Sequence, residues 1–214
     1  MRRFNEDKKS EKKESSDDIV SMITTAMGKP EMRAIAIYGD INEDRCAEAV
    51  YGLITLDMTT KSFVLEAEEG KEPEEVIEPI EFYISSYGGQ ATEMFAVYDI
   101  MRDIRERTPI ITYGIGKVMS AGVLLLAAGT KGQRKIGKNC RVMIHGVVAG
   151  QHGHIADIEN EFTEVKSTQK MYIQALAGES DMTQRYIKKL MDKKTNVYLD
   201  AEEAVNLGIA DIIV

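Results

Sequence analysis

Apolar segments between residues 33 and 146 alternate between two patterns, and this alternation limits the possible fold more than any other feature of the sequence. Short apolar runs predict buried strands, and longer segments with apolar residues at helical spacing predict helices. The predicted strands are residues 33–39, 80–90, 108–116 and 140–146, and the predicted helices are residues 41–58, 91–104 and 120–130. Strands that alternate with helices favour parallel pairing through right-handed crossovers. The predicted fold class is therefore α/β.

The remaining segments predict additions to one domain that spans residues 19–214. Residues 1–18 carry mixed charges, which predicts a disordered or conditionally ordered arm, either a solvated tail or a segment that gates an entrance or docks a partner. Residues 60–79 are acidic and contain Gly and Pro, which predicts an insertion or a long hairpin. An amphipathic helix is predicted over residues 155–177. Its apolar stripe packs either on its own domain or on another subunit, and consists of Ile155, Ile158, Phe162, Val165, Tyr172 and Leu176.

Composition and charge exclude several classes of function. The net charge of -8 argues against nucleic-acid binding, because phosphate contacts need a basic surface. The longest apolar run, VLLLAA, is too short to span a membrane. Cys46 and Cys140 lie far apart, so neither a disulfide framework nor a zinc site is expected, and a reducing, cytoplasmic location fits. His145, His152 and His154 have no cysteine or carboxylate at ligand spacing, so we expect no metal.

Ser120 and His145 are the residues most suited to catalysis. Ser120 stands between a predicted strand and a predicted helix, and the small residues Ala121 and Gly122 that follow leave its hydroxyl accessible. His145 ends another predicted strand. Histidine takes up a proton near neutral pH and can therefore activate a serine nucleophile. Taken alone, Ser120 could be a helix N-cap and His145 a structural residue, but together they predict serine-dependent acyl transfer.

Main-chain N–H groups close to Ser120 predict a site for the oxyanion of such a reaction. The helix after Ser120 begins with N–H groups that have no acceptor within the helix. The pair Gly88 and Gly89 follows another predicted strand, where glycine lets the backbone approach a ligand closely. A tight turn is the alternative interpretation of this pair. Neither GxGxxG nor GxxxxGK[ST] occurs, so the sequence does not support phosphate binding.

The segments that hold these residues resemble the proteolytic subunit of the Clp protease, and the resemblance covers residues 33–214. Residues 116–146, GKVMSAGVLLLAAGTKGQRKIGKNCRVMIHG, resemble the catalytic core of that family. Residues 84–101 resemble its SPGG turn and the helix that follows, residues 153–165 its projecting handle helix, and residues 200–211 its C-terminal segment. The resemblance implies the ClpP/crotonase superfold, with repeated ββα units and a handle helix.

The same resemblance implies a serine endopeptidase that cleaves unfolded proteins or peptides without a cofactor. By motif, Ser120 matches the nucleophile and His145 the general base. The N–H groups of Gly88 and Ala121 match the oxyanion hole, and Gly89 adjoins it. The family forms homo-oligomers of stacked seven-membered rings, and a hexameric AAA+ ATPase unfolds and feeds its substrates. These properties are expectations for the present chain.

The third catalytic residue is less clearly marked than the first two. The family carries an aspartate before its AEEA-like helix, but this chain has DKKTNVYLDAEEA, with Asn196 at the matching place. An amide can orient the imidazole of His145, as in Cys-His-Asn proteases, but it lacks the charge of a carboxylate. A slow or conditionally active peptidase is therefore expected. Asp192 and Asp200 are the alternative third members.

Departures from the family pattern and other functions also have to be considered at the level of sequence. Tyr87 replaces a proline of the family, and the insertion and the N-terminal region also depart from its pattern, so docking to a standard Clp ATPase is in question. A catalytically weak or inactive structural or regulatory ring subunit is the main alternative function. A crotonase-type acyl-CoA enzyme shares the superfold, but it would not need Ser120 and His145 in these contexts. An α/β-hydrolase is disfavoured, because Ser120 lies in VMSAG rather than GxSxG and a third member is expected after His145.

Overall fold

The computed structural model describes residues 32–65, 74–150, 152–192 and 195–214. The arm predicted over residues 1–18 lies outside the described residues, and so does the centre of the predicted insertion. Residues Arg33 to Val214 form one compact unit.

The described residues form strands and helices in the alternating order that the sequence predicts. The strands are β1 (Ala34–Ile41), β2 (Ser62–Leu65), β3 (Glu74–Ile77), β4 (Ile80–Gly89), β5 (Ile110–Met119), β6 (Lys135–Ile136), β7 (Arg141–Ile144), β8 (Val197–Leu199) and β9 (Ile212–Ile213). The helices are α1 (Glu43–Met58), α2 (Ala91–Ile104), α3 (Ala121–Ala127), α4 (Ile155–Glu179), α5 (Gln184–Met191) and α6 (Ala201–Asn206).

The main sheet is built around β5. Strands β1, β4, β5, β6 and β9 pair in that order, and all of these pairs are parallel. The first half of β5 pairs with β6, whereas its second half pairs with β7, which is also parallel. Strand β8 then adds to β7 in the antiparallel direction. The α/β prediction is confirmed, and the carboxyl ends of β4, β5 and β7 meet at one edge of the sheet.

Helix α3 lies at the centre of the core. All of its residues, AGVLLLA, are buried, because it packs against β4 and β5 and also contacts α2 and α4. A helix that is apolar on every side needs such surroundings. The position of α3 directly after β5 brings Ser120 to the junction between the core and the sheet edge.

The structure adds detail at places where the sequence pattern leaves alternatives open or gives no signal. Strands β2 and β3 form an antiparallel hairpin within the predicted insertion. The apolar stripe of α4 divides into two parts: Ile155, Ile158 and Phe162 are exposed, whereas Tyr172 and Leu176 are buried in the core. Packing on its own domain is therefore seen for the second half of the helix, whereas packing of the first half on another subunit stays a prediction. Strands β6 and β8 have two or three residues and no periodicity from which they could be predicted.

Candidate active site

The register of β5 and β7 brings Ser120 and His145 together. The two strands are parallel with Met119 opposite Met143, so the residues that follow them emerge side by side. The N–H of Ser120 donates to the carbonyl of Met143 at 2.8 Å. The Nε2 atom of His145 lies 2.8 Å from the Oγ atom of Ser120. A base at this distance can remove the proton of the serine hydroxyl.

The backbone of Ser120 adopts a conformation that is uncommon for a residue with a side chain. Its φ is 54° and its ψ is -121°, and it is the only non-glycine residue with positive φ in the described part of the chain. Such a conformation costs about 1–3 kcal/mol and persists where surrounding contacts hold it. The Ser120 side chain does not cap α3, which leaves its Oγ atom free to face His145.

The glycine turn after β4 lies directly against Ser120. Gly88 has a φ of 101°, and a Cβ atom at this position would lie 2.6 Å from the Cβ atom of Ser120. A side chain at Gly89 would collide with the carbonyl of Ile41. Both positions therefore require glycine, because neighbouring atoms leave no space for a Cβ atom. The N–H of Gly88 donates to the Oγ atom of Ser86 at 2.9 Å, so this expected oxyanion donor is bonded within its own turn.

A cleft of about 720 Å³ opens beside Ser120 and His145. Its volume lies in the range of ordinary ligand sites. Apolar side chains and polar residues both line it, including Met94, Val147, Tyr172, Met191, Asp40, Asn42 and Gln90. Tyr87 stands at the cleft with 63% of its surface exposed, and the Nζ atom of Lys117 lies 4.6 Å from its ring centroid. The cleft therefore has room for a ligand beside Ser120 and His145.

Asn196 lies beside His145 but does not bond to it. Strand β8 is antiparallel to β7 with Val197 opposite Ile144, so the register places Asn196 next to His145. Both residues line a second cleft of about 550 Å³. The side chain of Asn196 is exposed, and its Nδ2 atom lies 3.5 Å from the Tyr198 hydroxyl. Among the described residues, the side-chain hydrogen bond of His145 is the one to Ser120.

The two alternative third members lie in different surroundings. Asp192 lines the second cleft with His145, but its carboxylate accepts a hydrogen bond from Lys188 at 2.8 Å. Asp200 is away from His145, because it follows Leu199, which pairs with Val142 at the other end of β8. Its carboxylate accepts from the Glu203 N–H at 2.8 Å in a capping box at the start of α6. The structure thus brings Asn196 and Asp192 near His145, and gives Asp200 a capping role instead.

Sequence reasoning missed the residues of α4 that contact the site. The hydroxyl of Tyr172 donates to the main-chain carbonyl of Ser120 at 3.0 Å. The Oε1 atom of Gln169 accepts from the N–H of Val147, two residues after His145, at 3.1 Å. The sequence pattern assigned Tyr172 only to an apolar stripe. No local signal could have joined it to a residue 52 positions away.

The cysteines are not rival nucleophiles. Cys46 and Cys140 are both free and buried. Burial is the main cause that raises the pKa of each thiol to about 11, and Glu93 adds to it at Cys46. A thiol that stays protonated reacts poorly.

Within the described ranges, no group of three or more His, Cys, Asp or Glu residues could hold a metal ion. No helix in those ranges has the length and apolar character to cross a membrane.

Comparison with known proteins identifies the family. The sequence model of the Clp protease family matches residues 11–214. The chain belongs to the Clp protease family. The "ATP-dependent Clp protease proteolytic subunit 2" of Treponema pallidum (strain Nichols) is 31% identical over 179 residues, which cover 84% of this chain and 80% of that protein. The protein of the same description in Prochlorococcus marinus (strain NATL2A) is 34% identical over 142 residues, 66% of this chain and 69% of that protein.

Membership of the Clp protease family confirms the resemblance seen in the sequence. The chain is a Clp-type protease or a subunit of a Clp complex. The family match also includes the segments that contribute to the site: the ends of β4, β5 and β7, the long helix α4 and the region around β8.

Proposed function

We propose that the chain is a serine endopeptidase, the proteolytic subunit of a Clp-type complex, and that it cleaves unfolded proteins or peptides. The distance of 2.8 Å between His145 Nε2 and Ser120 Oγ carries this proposal, since it joins a nucleophile and a base at the edge of a cleft. In the neutral tautomer with its proton on Nδ1, His145 accepts the hydroxyl proton as Ser120 attacks the peptide carbonyl. His145 then gives the proton to the leaving amine, and water hydrolyses the acyl-enzyme.

The oxyanion would be held by main-chain N–H groups. Ala121 offers an N–H directly after Ser120, at the first position of α3. Gly88 offers a second one, provided that its N–H turns away from Ser86 Oγ when substrate binds. Each oxyanion donor contributes about 10²–10³ in turnover in serine peptidases. Loss of either the Ala121 or the Gly88 donor would therefore lower turnover by about this factor.

Asn196 would complete a Ser-His-Asn site. A rotation of its exposed side chain away from Tyr198 would let Oδ1 accept the Nδ1–H of His145. This contact orients the imidazole, but a neutral amide stabilises the imidazolium less than a carboxylate does. Slow turnover follows from this difference.

The assembly and the partner are further parts of the proposal. The chain would form a homo-oligomer of stacked heptameric rings in the cytoplasm, fed by a hexameric AAA+ ATPase unfoldase. The words "ATP-dependent" and "subunit" in the names of the two relatives support an assembly that works with an ATPase. ATP would be consumed only by that partner. The peptidase itself would need no cofactor.

A catalytically weak or inactive structural or regulatory ring subunit is the second candidate. It is favoured by the side chain of Asn196, which bonds to Tyr198 and not to His145, and by the occupied N–H of Gly88. A subunit of this kind would build or regulate a chamber together with an active paralogue.

Labelling of Ser120 by a fluorophosphonate separates the two candidates. The assembled wild-type protein would be compared with His145→Ala and Asn196→Ala, and Ser120→Ala gives the background. Labelling that requires His145 and falls in Asn196→Ala supports the Ser-His-Asn peptidase. An assembled, folded wild type without labelling above background would contradict it and favour the structural subunit.

A further inference from the structure

Tyr172 reaches the candidate site from a separate helix. It lies in the second half of α4, and its hydroxyl donates to the main-chain carbonyl of Ser120 at 3.0 Å. Only 6% of its surface is exposed. Burial raises the pKa of Tyr172 well above its ordinary value, so the hydroxyl keeps its proton in neutral and alkaline solution. The hydroxyl therefore stays protonated and able to donate to the Ser120 carbonyl.

The carbonyl that Tyr172 contacts belongs to the same peptide group as the Ala121 N–H. A peptide bond is planar and trans, so its C=O and N–H point in opposite directions and rotate together. Any donor that fixes the carbonyl of Ser120 also fixes the direction of the Ala121 N–H. In the proposed mechanism this N–H binds the oxyanion. A hydrogen bond to the Ser120 carbonyl can thus fix the direction of the Ala121 N–H at the opposite edge of the same peptide group.

This peptide plane needs support from outside its own segment. Ser120 has a φ of 54° and a ψ of -121°, and no side chain caps the first turn of α3. The N–H of Val123 also donates to the Ser120 carbonyl, at 3.0 Å. That bond spans only three residues, and bonds of this span have poorer geometry than those of a regular α-helix. The Tyr172 hydroxyl supplies a second donor that is anchored on a different element.

The face of α4 that carries Tyr172 also contacts the histidine segment. Gln169 precedes Tyr172 by three residues and therefore lies on the same face of the helix. Its side chain accepts from the N–H of Val147 at 3.1 Å. The inner face of α4 thus holds the chain after Ser120 and the chain after His145 at the same time.

We propose that Tyr172 is a positioning residue, which orients the Ser120–Ala121 peptide group so that the Ala121 N–H points at the oxyanion. This inference rests on the proposed function. It assigns to the hydroxyl of Tyr172 an effect on turnover, in addition to the packing of its ring against the core.

Tyr172→Phe tests the proposal, because it removes only the hydroxyl and keeps the ring. Tyr98→Phe is the matched control: Tyr98 is also 6% exposed and donates at 2.9 Å, but to Glu179 and not to the site. The full-length assembled proteins would be compared by kcat and KM for a fluorogenic peptide, and by the second-order rate constant of fluorophosphonate labelling. Thermal unfolding of each variant verifies that it is folded.

We expect Tyr172→Phe to lower kcat and the labelling rate constant about 10- to 100-fold, which is part of the loss caused by removing a whole oxyanion donor. KM should change less than about twofold, because ground-state binding does not use this N–H. Tyr98→Phe should leave kcat and the labelling rate near those of the wild type.

The other outcomes overturn distinct claims. A labelled wild type with equal labelling and kcat in Tyr172→Phe overturns the role of Tyr172 and leaves the proposed function intact. Equal losses of kcat in Tyr172→Phe and Tyr98→Phe overturn it as well, since they would reflect a general loss of rigidity. A folded wild type that the fluorophosphonate does not label overturns the proposed function, and the inference with it.

Discussion

At the residue scale, main-chain geometry organises the candidate site more than side-chain charge does. Ser120 is held through its N–H and its carbonyl by residues of β7, α3 and α4. Gly88 approaches Ser120 so closely that no side chain fits between them. The side chain of Asn196, by contrast, is exposed and makes a long contact of 3.5 Å with Tyr198. Ser120 and His145, the proposed nucleophile and base, are therefore held in defined positions, whereas Asn196, the proposed third member, is held only by one long contact.

Replacing Asn196 with aspartate should increase activity. The register of β8 sets this residue beside His145, and a carboxylate there would stabilise the imidazolium that forms during attack. We expect Asn196→Asp to raise kcat about tenfold or more, well within the roughly 10⁴ that the opposite change costs in a chymotrypsin-type enzyme. Peptide hydrolysis measures it, and Asp192→Asn is the control that should change nothing. If Asp192→Asn lost activity and Asn196→Asp gained none, Asp192 would be the third member.

A methyl group at Gly88 should abolish labelling of Ser120. The added Cβ atom would lie 2.6 Å from the Cβ atom of Ser120, so the serine or the turn must move. Gly132→Ala is a matched control, because Gly132 also has positive φ, 84°, but nothing lies within 4 Å of its Cβ position. Both variants should lose about 1–2 kcal/mol of stability from the left-handed backbone, and only Gly88→Ala should lose fluorophosphonate labelling. Normal labelling of Gly88→Ala would show that the turn does not touch the nucleophile.

At the scale of elements, α4 joins the candidate site to the core at its C-terminal end. Glu179, the last residue of α4, is 3% exposed and accepts two hydrogen bonds from Arg105, each at 2.8 Å. Tyr98 donates to it as well. Burial, with Glu179 as a further cause, raises the pKa of Tyr98 to about 12, which keeps that donor protonated. The Arg105 guanidinium also donates to Ala128, just after α3.

Removing the carboxylate of Glu179 should be strongly destabilising. Glu179→Ala leaves Arg105 without its buried partner, which costs about 3–5 kcal/mol. The ion pair between Lys188 and Asp192 has the same distance of 2.8 Å but is exposed, so Lys188→Ala should cost less than about 0.5 kcal/mol. Urea unfolding of both variants measures the two costs. Similar values for the two would mean that burial does not decide the strength of these pairs.

The C-terminal strand should become less stable in acid. Burial alone would raise the pKa of Asp211, but hydrogen bonds from the side chain and N–H of Arg134 and from the N–H of Gly132 outweigh it and hold this pKa below its ordinary value. A lowered carboxyl pKa adds stability above the unfolded-state value, near 4, and this stability is lost as pH falls through the folded-state pKa. Arg134 directly precedes β6 and Asp211 directly precedes β9, so the hydrogen bonds between them stabilise the pairing of the two strands.

We expect Asp211→Asn to lower the free energy of unfolding by about 2 kcal/mol at pH 7. The difference from the wild type should stay constant above about pH 5, begin to shrink near pH 4, where the unfolded-state carboxyl takes up protons, and be lost as the pH falls further through the lowered folded-state pKa. Urea unfolding at a series of pH values measures it. A difference that stays constant down to the lowest pH would contradict the electrostatic origin of the effect.

At the scale of the whole molecule, the first half of α4 leaves an apolar surface open. This surface consists of Ile155, Ile158 and Phe162, which are 77%, 40% and 59% exposed. The second half of the same helix is buried in the core through Tyr172 and Leu176. Exposed apolar side chains on one face of a helix form a candidate interaction surface. In the proposed homo-oligomer it would be covered by another copy of the chain.

A charge at the centre of this surface should weaken the assembly. Phe162→Asp would place a carboxylate in an apolar interface, where an unpaired charge is costly. We expect smaller species by sedimentation velocity at concentrations where the wild type is fully assembled. Glu159→Gln, a change at an exposed position of the same helix, should not alter the distribution. An oligomer that is unchanged in Phe162→Asp would contradict this assignment and show that the subunits associate through another surface.

The α/β class, the order of the central elements and the Ser120–His145 pair could all be predicted from the amino-acid sequence. These properties follow from local periodicity and from short motifs, which reflect interactions between residues that are close in the chain. The position of α3 was predictable for the same reason.

Which groups meet at the candidate site could not be predicted from the sequence, because it depends on how distant segments pack together. The pairing of β7 with β5, the turn of Asn196 toward Tyr198 and the bond from Gly88 to Ser86 depend on register and rotamers that no local pattern records. The contact from Tyr172 to Ser120 joins residues 52 positions apart. Such a contact exists because the packing of a helix against the core sets its direction, and packing is a property of the whole chain.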